Sequence, residues 1–229
     1  MSLRKGDLVL NNFLETNKLF DCKTPYLKPL FTDKEYPWEI IPDIKAYIKE
    51  LVKNGIEGYE RISDGVLIGK NVKIYPSAVI EGYAIIGEGS VIRTGAFLRG
   101  NVITGRGCVI GNSTEIKNSV LLNDVEAAHY NYIGDSILGN KAHLGAGAIC
   151  SNLKADGKNV VIHTDKNYET NLRKMGAFLG DEADIGCGCV LNPGTVVGKN
   201  TSVYPLLSLR GVFPPESIVK NPDNIIKRL

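Results

Sequence analysis

Large apolar residues recur along this chain every six positions. The first run is Ile68, Ile74, Ile80, Ile86, Ile92, Leu98, Thr104, Ile110, Ile116 and Leu122, with one threonine standing in. After an interruption the beat returns at Leu138 and Leu144, then at Leu179, Ile185, Leu191, Val197, Val203 and Leu209. A period of six is neither the 3.6 of an α-helix nor the simple alternation of a flat strand. Four residues after most anchors stands a small or β-branched residue, such as Ala78, Ala96, Cys108, Thr114, Ala148 or Cys189. Gly and Asn flank the anchors, as in Ile86-Gly87-Glu88-Gly89 and Ile110-Gly111-Asn112-Ser113, and such residues tolerate tight corners. The pattern predicts short strands stacked around one narrow core, an all-β solenoid of triangular section with about six or seven coils.

Two segments leave the beat and set the expected organisation. Residues 1–61 read as an N-terminal cap of helices and loops, 62–215 as the solenoid with a loop insertion over 153–178, and 216–229 as a C-terminal tail. Within the cap, Asp7 to Glu15 has helix-like spacing. Pro42 to Asn54 has it more clearly, with Ile44, Tyr47, Ile48, Leu51 and Val52 on one face and Gly55 as a stop. The plain expectation is that this segment covers the open first coil, because bare strand edges invite association; a contact with substrate or a second subunit is the alternative. The insertion is polar and lysine-bearing around Val160-Val161-Ile162, and insertions in solenoids project as loops that carry function.

Composition narrows the picture. The 229 residues carry a net charge of +2 with no long basic run, which argues against a nucleic-acid partner. No stretch approaches the roughly 20 apolar residues of a membrane span, and no signal-peptide core opens the chain, so a cytoplasmic protein is expected. Five cysteines without metal-type pairing read as thiols in a reducing compartment, Cys108 and Cys189 being buried at small-residue positions.

The candidate chemistry follows from stacking. Residues one coil, or eighteen positions, apart lie about 4.8 Å above one another. Arg99 and Lys117 have this spacing and form either a phosphate grip or an ordinary solvated pair. His129 lies where the beat fails, in Ala127-Ala128-His129-Tyr130-Asn131-Tyr132-Ile133-Gly134-Asp135, and an imidazole there is either a general base or a structural hydrogen-bonding group. Gly145-Ala146-Gly147 leaves backbone amides accessible to a thioester.

The runs Gly111-Asn112-Ser113-Thr114-Glu115-Ile116-Lys117, His129 to Asp135, and Leu144-Gly145-Ala146-Gly147 with Asn152 resemble the acetyltransferase domain of the bifunctional glucosamine-1-phosphate acetyltransferase/N-acetylglucosamine-1-phosphate uridyltransferase family. The likeness covers roughly residues 62–215 and runs without gaps from Arg99 to Asn152. It implies a left-handed parallel β-helix, a homotrimer with active sites between subunits, and acetyl-CoA as co-substrate with no metal. It further implies that Arg99 and Lys117 hold a sugar phosphate, that His129 deprotonates the sugar amine, and that Tyr132 and Asn152 contact substrate, with Asn152 also in the catalytic set. Lys158 and Lys174 fall on active-site lysines, and Lys158 with the long loop is closer to archaeal sugar-1-phosphate nucleotidylyltransferases. Ala146, Gly147, Cys187, Tyr204 and Arg210 fall among acetyl-CoA contacts. Two departures bear on the sugar: Leu153 replaces a tyrosine, and His143 replaces a substrate-side asparagine.

The expected reaction is therefore N-acetylation of an amino-sugar 1-phosphate on the route to UDP-N-acetylglucosamine. A nucleotide-linked amino sugar as acceptor, and a non-catalytic sugar-phosphate-binding partner of a nucleotidyltransferase, stand as alternatives. Nucleotidyltransferase activity is not expected, because no Gly-rich nucleotide loop is present. A carbonic anhydrase on the same helix needs three metal-binding histidines, whereas His129, His143 and His163 are poorly spaced for that.

Overall fold

The computed structural model describes residues 2, 3 and 13–228. Each coil contributes one strand to each of three sheets. The strands of face 1 run from Val66–Ile68 to Val212–Phe213, those of face 2 from Lys73–Ile74 to Ser217–Asn221, and those of face 3 from Val79–Glu81 to Ser208–Leu209. All neighbours within this stack are parallel, giving eight rungs on faces 1 and 2 and seven on face 3. The result is a three-sided parallel β-helix with more coils than the six or seven expected.

The undercount has a physical cause. The beat does not stop after Ile116; it slips. The core takes Leu121 rather than Leu122, then Ala127, Ile133 and Leu138. Two of these steps, Ile116 to Leu121 and Ile133 to Leu138, are one residue short. Ala127 is too small to register as an anchor. The register records the slip: Val79 pairs with Phe97 eighteen residues on, whereas Glu115 pairs with Tyr132 and Tyr132 with Ile149 after seventeen. Both shortened corners lie between faces 3 and 1, at Lys117-Asn118 and Gly134-Asp135. Asn118 and Asp135 turn there with φ of 47°, a left-handed conformation that Asn and Asp accept more readily than other residues.

The N-terminal segment covers more than the first coil. It lies along face 1, over the length of the helix. The outward residues Leu67, Ile85, Ile103, Val120, Ile137, Phe178, Val196 and Val212 are buried against Leu14, Leu19, Trp38, Ile44, Ile48 and their neighbours in one apolar layer. Face-1 strands are consequently apolar on both sides, as in Val66-Leu67-Ile68 and Ala84-Ile85-Ile86, the mark of a sheet covered twice. The predicted helix forms over Ile44–Asn54, buries Ile44, Ile48 and Val52, and ends at Gly55 with φ 77°. The helix-like spacing of Asp7 to Glu15 falls largely outside the described residues. The insertion also returns to this layer: strands Val161–His163 and Asn167–Glu169 pair as a hairpin, and Tyr168 packs edge-on to Tyr36 and Trp38 at 5.2 and 5.7 Å.

Asp181 fastens the layer. Its backbone N–H donates to Leu19 O at 3.0 Å. Its carboxylate accepts from the N–H of Asp21 at 2.9 Å and of Asn140 at 2.8 Å, and pairs with Lys199 at 2.9 Å. At the far end, the segment expected as a tail folds into an antiparallel hairpin, Ser217–Asn221 with Asn224–Lys227, whose outer strand pairs with Ser2–Leu3. At the near end, Glu60–Ser63 pairs antiparallel with the first strand of face 1. With face 1 covered by the chain itself, faces 2 and 3 are the sides left bare.

Candidate active site

Four of the residues singled out from the sequence, Arg99, Lys117, Tyr132 and Asn152, converge on face 3 and its edge with face 1. Leu98 pairs with Ile116 and Ile116 with Ile133, so Arg99, Lys117 and Gly134 form one outward column, and Glu115 and Tyr132 form the adjacent one. The absence of a side chain at Gly134 is what admits the tyrosine. A Cβ there would lie 2.6 Å from Tyr132 Oη and 2.7 Å from Asn152 Nδ2. Tyr132 therefore lies along its own strand with its hydroxyl beside Asn152. Burial pushes that hydroxyl's pKa up, the charge of Glu115 adds to the effect, and Arg99 and a hydrogen bond from the Asn152 amide oppose it.

Neither cation is free. Arg99 Nη1 pairs with Glu115 Oε1 at 2.6 Å, and Lys117 Nζ with Asp135 Oδ2 at 3.3 Å. The two pairs differ in kind. Arg99 and Glu115 are substantially exposed, so an entering phosphate can displace Glu115. The Asp135 side chain is only 6% exposed and has further partners. Asn118 Nδ2 donates to Oδ1 at 2.8 Å, and Asn152 Nδ2 donates to Oδ2. Asn118, Asp135 and Asn152 thus form a ladder up the edge at seventeen-residue intervals, made by the two shortened coils. Glu115 and Asp135 stand inside the runs Gly111 to Lys117 and His129 to Asp135 and are not among the residues expected in the site; the signal for Asp135 is its position between two asparagines one short coil away on either side.

His129 occupies the opposite edge of face 3, where face 2 turns into it. Its side chain is exposed and its imidazole makes no hydrogen bond among the described residues. The residues above it stack in register: Gly147 N donates to His129 O at 3.0 Å, Gly188 N to Ala146 O at 2.8 Å, and Leu206 N to Cys187 O at 2.8 Å. His129, Ala146, Gly147, Cys187 and Tyr204 therefore share one edge. Ala146 is exposed and its N–H has no backbone acceptor among the described residues. Exposed Tyr130, Ile149, Tyr204 and Leu206 give this edge an apolar border.

The remaining candidates lie elsewhere. His143 is on the outer side of face 2, between Glu126 below and Asp184 above, with its Nδ1 2.8 Å from Asp184 Oδ1. Lys174 bridges to Leu153, beside Asn152. Lys158 is exposed on the insertion, its N–H donating to Asp156 Oδ1. Arg210 is not on the edge of Ala146 and Cys187; it lines a cavity of about 300 Å³ with Lys154, Asp156 and His163 at the far side of face 3. Cys187 is exposed while Cys189 is buried, because the chain turns a corner between them at Gly188, φ 67°. Among the described residues no group of three His, Cys, Asp or Glu side chains could hold a metal ion, and no helix is long and apolar enough to cross a membrane.

A parallel β-helix of hexapeptides with a cation pair and a histidine-bearing edge defines the class of hexapeptide-repeat proteins. Comparison with known proteins narrows it. The GMPPB C-terminal domain family matches residues 80–168. The bifunctional protein GlmU of Methanococcus maripaludis is 30% identical over 220 residues, 95% of this chain and 53% of that protein. The putative uncharacterized acetyltransferase YaiX of Escherichia coli is 34% identical over 179 residues, 75% of this chain and 78% of that protein. The chain belongs to the hexapeptide-repeat acyltransferase family. It spans about half the length of the GlmU relatives, and the matched span takes in the N-terminal layer as well as the helix. Among solved structures, the acetyltransferase domain of PglB from Neisseria gonorrhoeae in complex with acetyl coenzyme A aligns over 71% of this chain and 57% of that one, at 19% identity and a TM-score of 0.37.

Proposed function

We propose that the protein transfers an acetyl group from acetyl-CoA directly to the amine of an amino-sugar 1-phosphate of the glucosamine-1-phosphate type, in the cytoplasm and on the route to UDP-N-acetylglucosamine. The observation that carries this reading is the division of face 3: a cationic, hydrogen-bonding edge at Arg99, Lys117, Tyr132 and Asn152, and an apolar edge bearing an unpaired histidine at His129, Ala146 and Cys187. Arg99 takes two phosphate oxygens as a planar fork, and Lys117 adds a point charge with two donors to spare beyond Asp135. The sugar amine attacks the thioester carbonyl carbon while His129 takes the proton. The oxyanion that forms is met by the uncommitted Ala146 N–H, a contribution of about 3 kcal/mol for a well-placed donor. The C–S bond then breaks, and the imidazolium returns its proton to the CoA thiolate.

Acetyl-CoA lies along the His129–Ala146–Cys187–Tyr204 edge in this reading, with its pantetheine against the apolar border. Because face 1 is covered, copies of the chain meet through faces 2 and 3, and a homotrimer places such edges between subunits. Arg210, remote from this edge within one chain, contacts the cofactor of a neighbour. Lys174 and Lys158 extend the phosphate side, and His143 contacts substrate from an adjoining face.

The test is thiol release from acetyl-CoA with glucosamine-1-phosphate, galactosamine-1-phosphate, a UDP-linked amino sugar or buffer alone. Release that requires one amino-sugar 1-phosphate supports the reading. Release with the UDP-linked sugar alone moves the acceptor to nucleotide-linked amines. Binding of the sugar phosphates without release replaces the enzyme reading with that of a binding module.

A further inference from the structure

We propose that Asp135 is the positioning residue of this site: it fixes the orientation of the Asn152 amide so that the carbonyl oxygen of Asn152, and not its NH2 group, is presented to the acceptor amine. The inference rests on the acetyl-transfer reading above.

An ionised carboxylate only accepts hydrogen bonds, whereas an amide side chain offers a donor end and an acceptor end that exchange when it flips. Asn152 Nδ2 donates to Asp135 Oδ2, and a hydrogen bond from the same amide reaches Tyr132 Oη. Both N–H bonds of Asn152 are thereby directed at oxygen atoms of the protein. Its Oδ1 accepts from no described residue and is not sealed from solvent. A flip would set Oδ1 against the carboxylate, two acceptors in contact within a nearly buried corner. Lys117 pairs with the same Oδ2 and Asn118 holds Oδ1, so rotation of the carboxyl group is blocked as well. The Asp135 carbonyl accepts from Gly176 N at 2.8 Å, which ties the corner to the end of the insertion.

The chemical consequence is a division of labour. Asn152 cannot be a principal donor to the oxyanion, because its hydrogens are committed. It can accept one N–H of the incoming amine, which turns the nitrogen lone pair toward the thioester and leaves the second proton for His129. Asp135 touches neither reactant and acts through Asn152 and Lys117.

Two measurements on the full-length protein test this. The first needs no substrate. In a ¹⁵N-asparagine-labelled sample, the Asn152 NH2 signals, assigned by their absence in Asn152→Ser, should exchange at least tenfold more slowly than those of exposed asparagines, and should lose that protection in Asp135→Asn. The second is kinetic. Asp135→Asn keeps a residue suited to the left-handed corner but lets the new amide donate to Asn152 Oδ1. It should lower kcat on the order of 10²-fold while the KM for acetyl-CoA changes less than twofold. Free exchange of the Asn152 NH2 in the wild-type protein, or wild-type kcat in Asp135→Asn, overturns the proposal. Failure of the wild-type protein to acetylate any amine would remove the reaction proposed above, while the exchange measurement would still decide the amide orientation.

Discussion

The Gly147 amide donates to the His129 carbonyl at 3.0 Å, which seats Ala146 on the coil directly above the imidazole-bearing residue. His129 and the Ala146 N–H, which has no backbone acceptor among the described residues, are thus held by one rung of backbone rather than by side-chain contacts. Since the ring itself has no partner, His129→Ala should leave the melting temperature within about one degree of wild type. Thiol release should fall roughly 10²–10⁴-fold. Near-normal turnover in this variant would exclude His129 as the base.

Gly134 is the opening through which Tyr132 reaches Asn152. The atoms that a Cβ would meet are the ends of two side chains rather than backbone, so Gly134→Ala should be absorbed by their displacement. Stability should fall by about 1 kcal/mol. On the proposed acetyl-transfer reading, in which both displaced groups face the substrate, activity should fall on the order of 10²-fold. Thermal unfolding and thiol release, measured on the same preparation, separate the two effects; a large loss of stability with normal activity would show that the tyrosine is only a structural prop.

Much of the fold is legible in the sequence because stacking turns one geometric constraint into many repeated positions. Ile86, Ile92 and Leu98 announce the prism by repetition alone. What hides is whatever breaks the count. Ala127 faces the core but is too small to be read as an anchor, and the short steps after Ile116 and Ile133 look like an interruption although the coil continues. The covering of face 1 was also available in principle, since Leu67, Ile85 and Ile103 stand one position before successive anchors and make those strands apolar throughout. In the site, Arg99 and Lys117 were visible from spacing. Their carboxylate partners were not, because Glu115 lies two residues from Lys117 along one strand and Asp135 belongs to a coil of different length.

The latch at Asp181 gives a prediction for stability. In Asp181→Ala the N–H groups of Asp21 and Asn140 lose their acceptor and Lys199 loses its partner. Leaving such donors unsatisfied costs about 1–3 kcal/mol. The expected outcome is a lower unfolding midpoint, together with earlier proteolysis between residues 13 and 40 than within the helix. Uniform destabilisation without preferential cleavage there would show that Asp181 does not fasten the layer.

Two fully buried thiols lower stability at alkaline pH. Burial pushes Cys108 and Cys150 up to about 12, whereas an unfolded thiol ionises near 8.5. Between these values the folded chain holds protons that the unfolded chain has released. The stabilisation is therefore complete below about pH 8.5 and is lost as pH rises toward 12, by about 1.4 kcal/mol per pH unit per thiol. Guanidinium midpoints should decline from pH 8 to pH 10.5, and less steeply in Cys150→Ala; equal slopes in the two proteins would remove Cys150 from the account.

The layer on face 1 also orders events in time. Asp21 binds Asp181 across 160 residues of sequence, and the outward residues that bury Trp38 and Leu19 come from coils made much later. The segment that leaves the ribosome early has no seat until most of the stack exists, so contacts of such long separation form late. Until then its apolar residues are exposed. Residues 13–59 are synthesised before the coils they pack on and settle after them, and the nascent chain is most open to capture by chaperones or by its own copies while the coils are still being added.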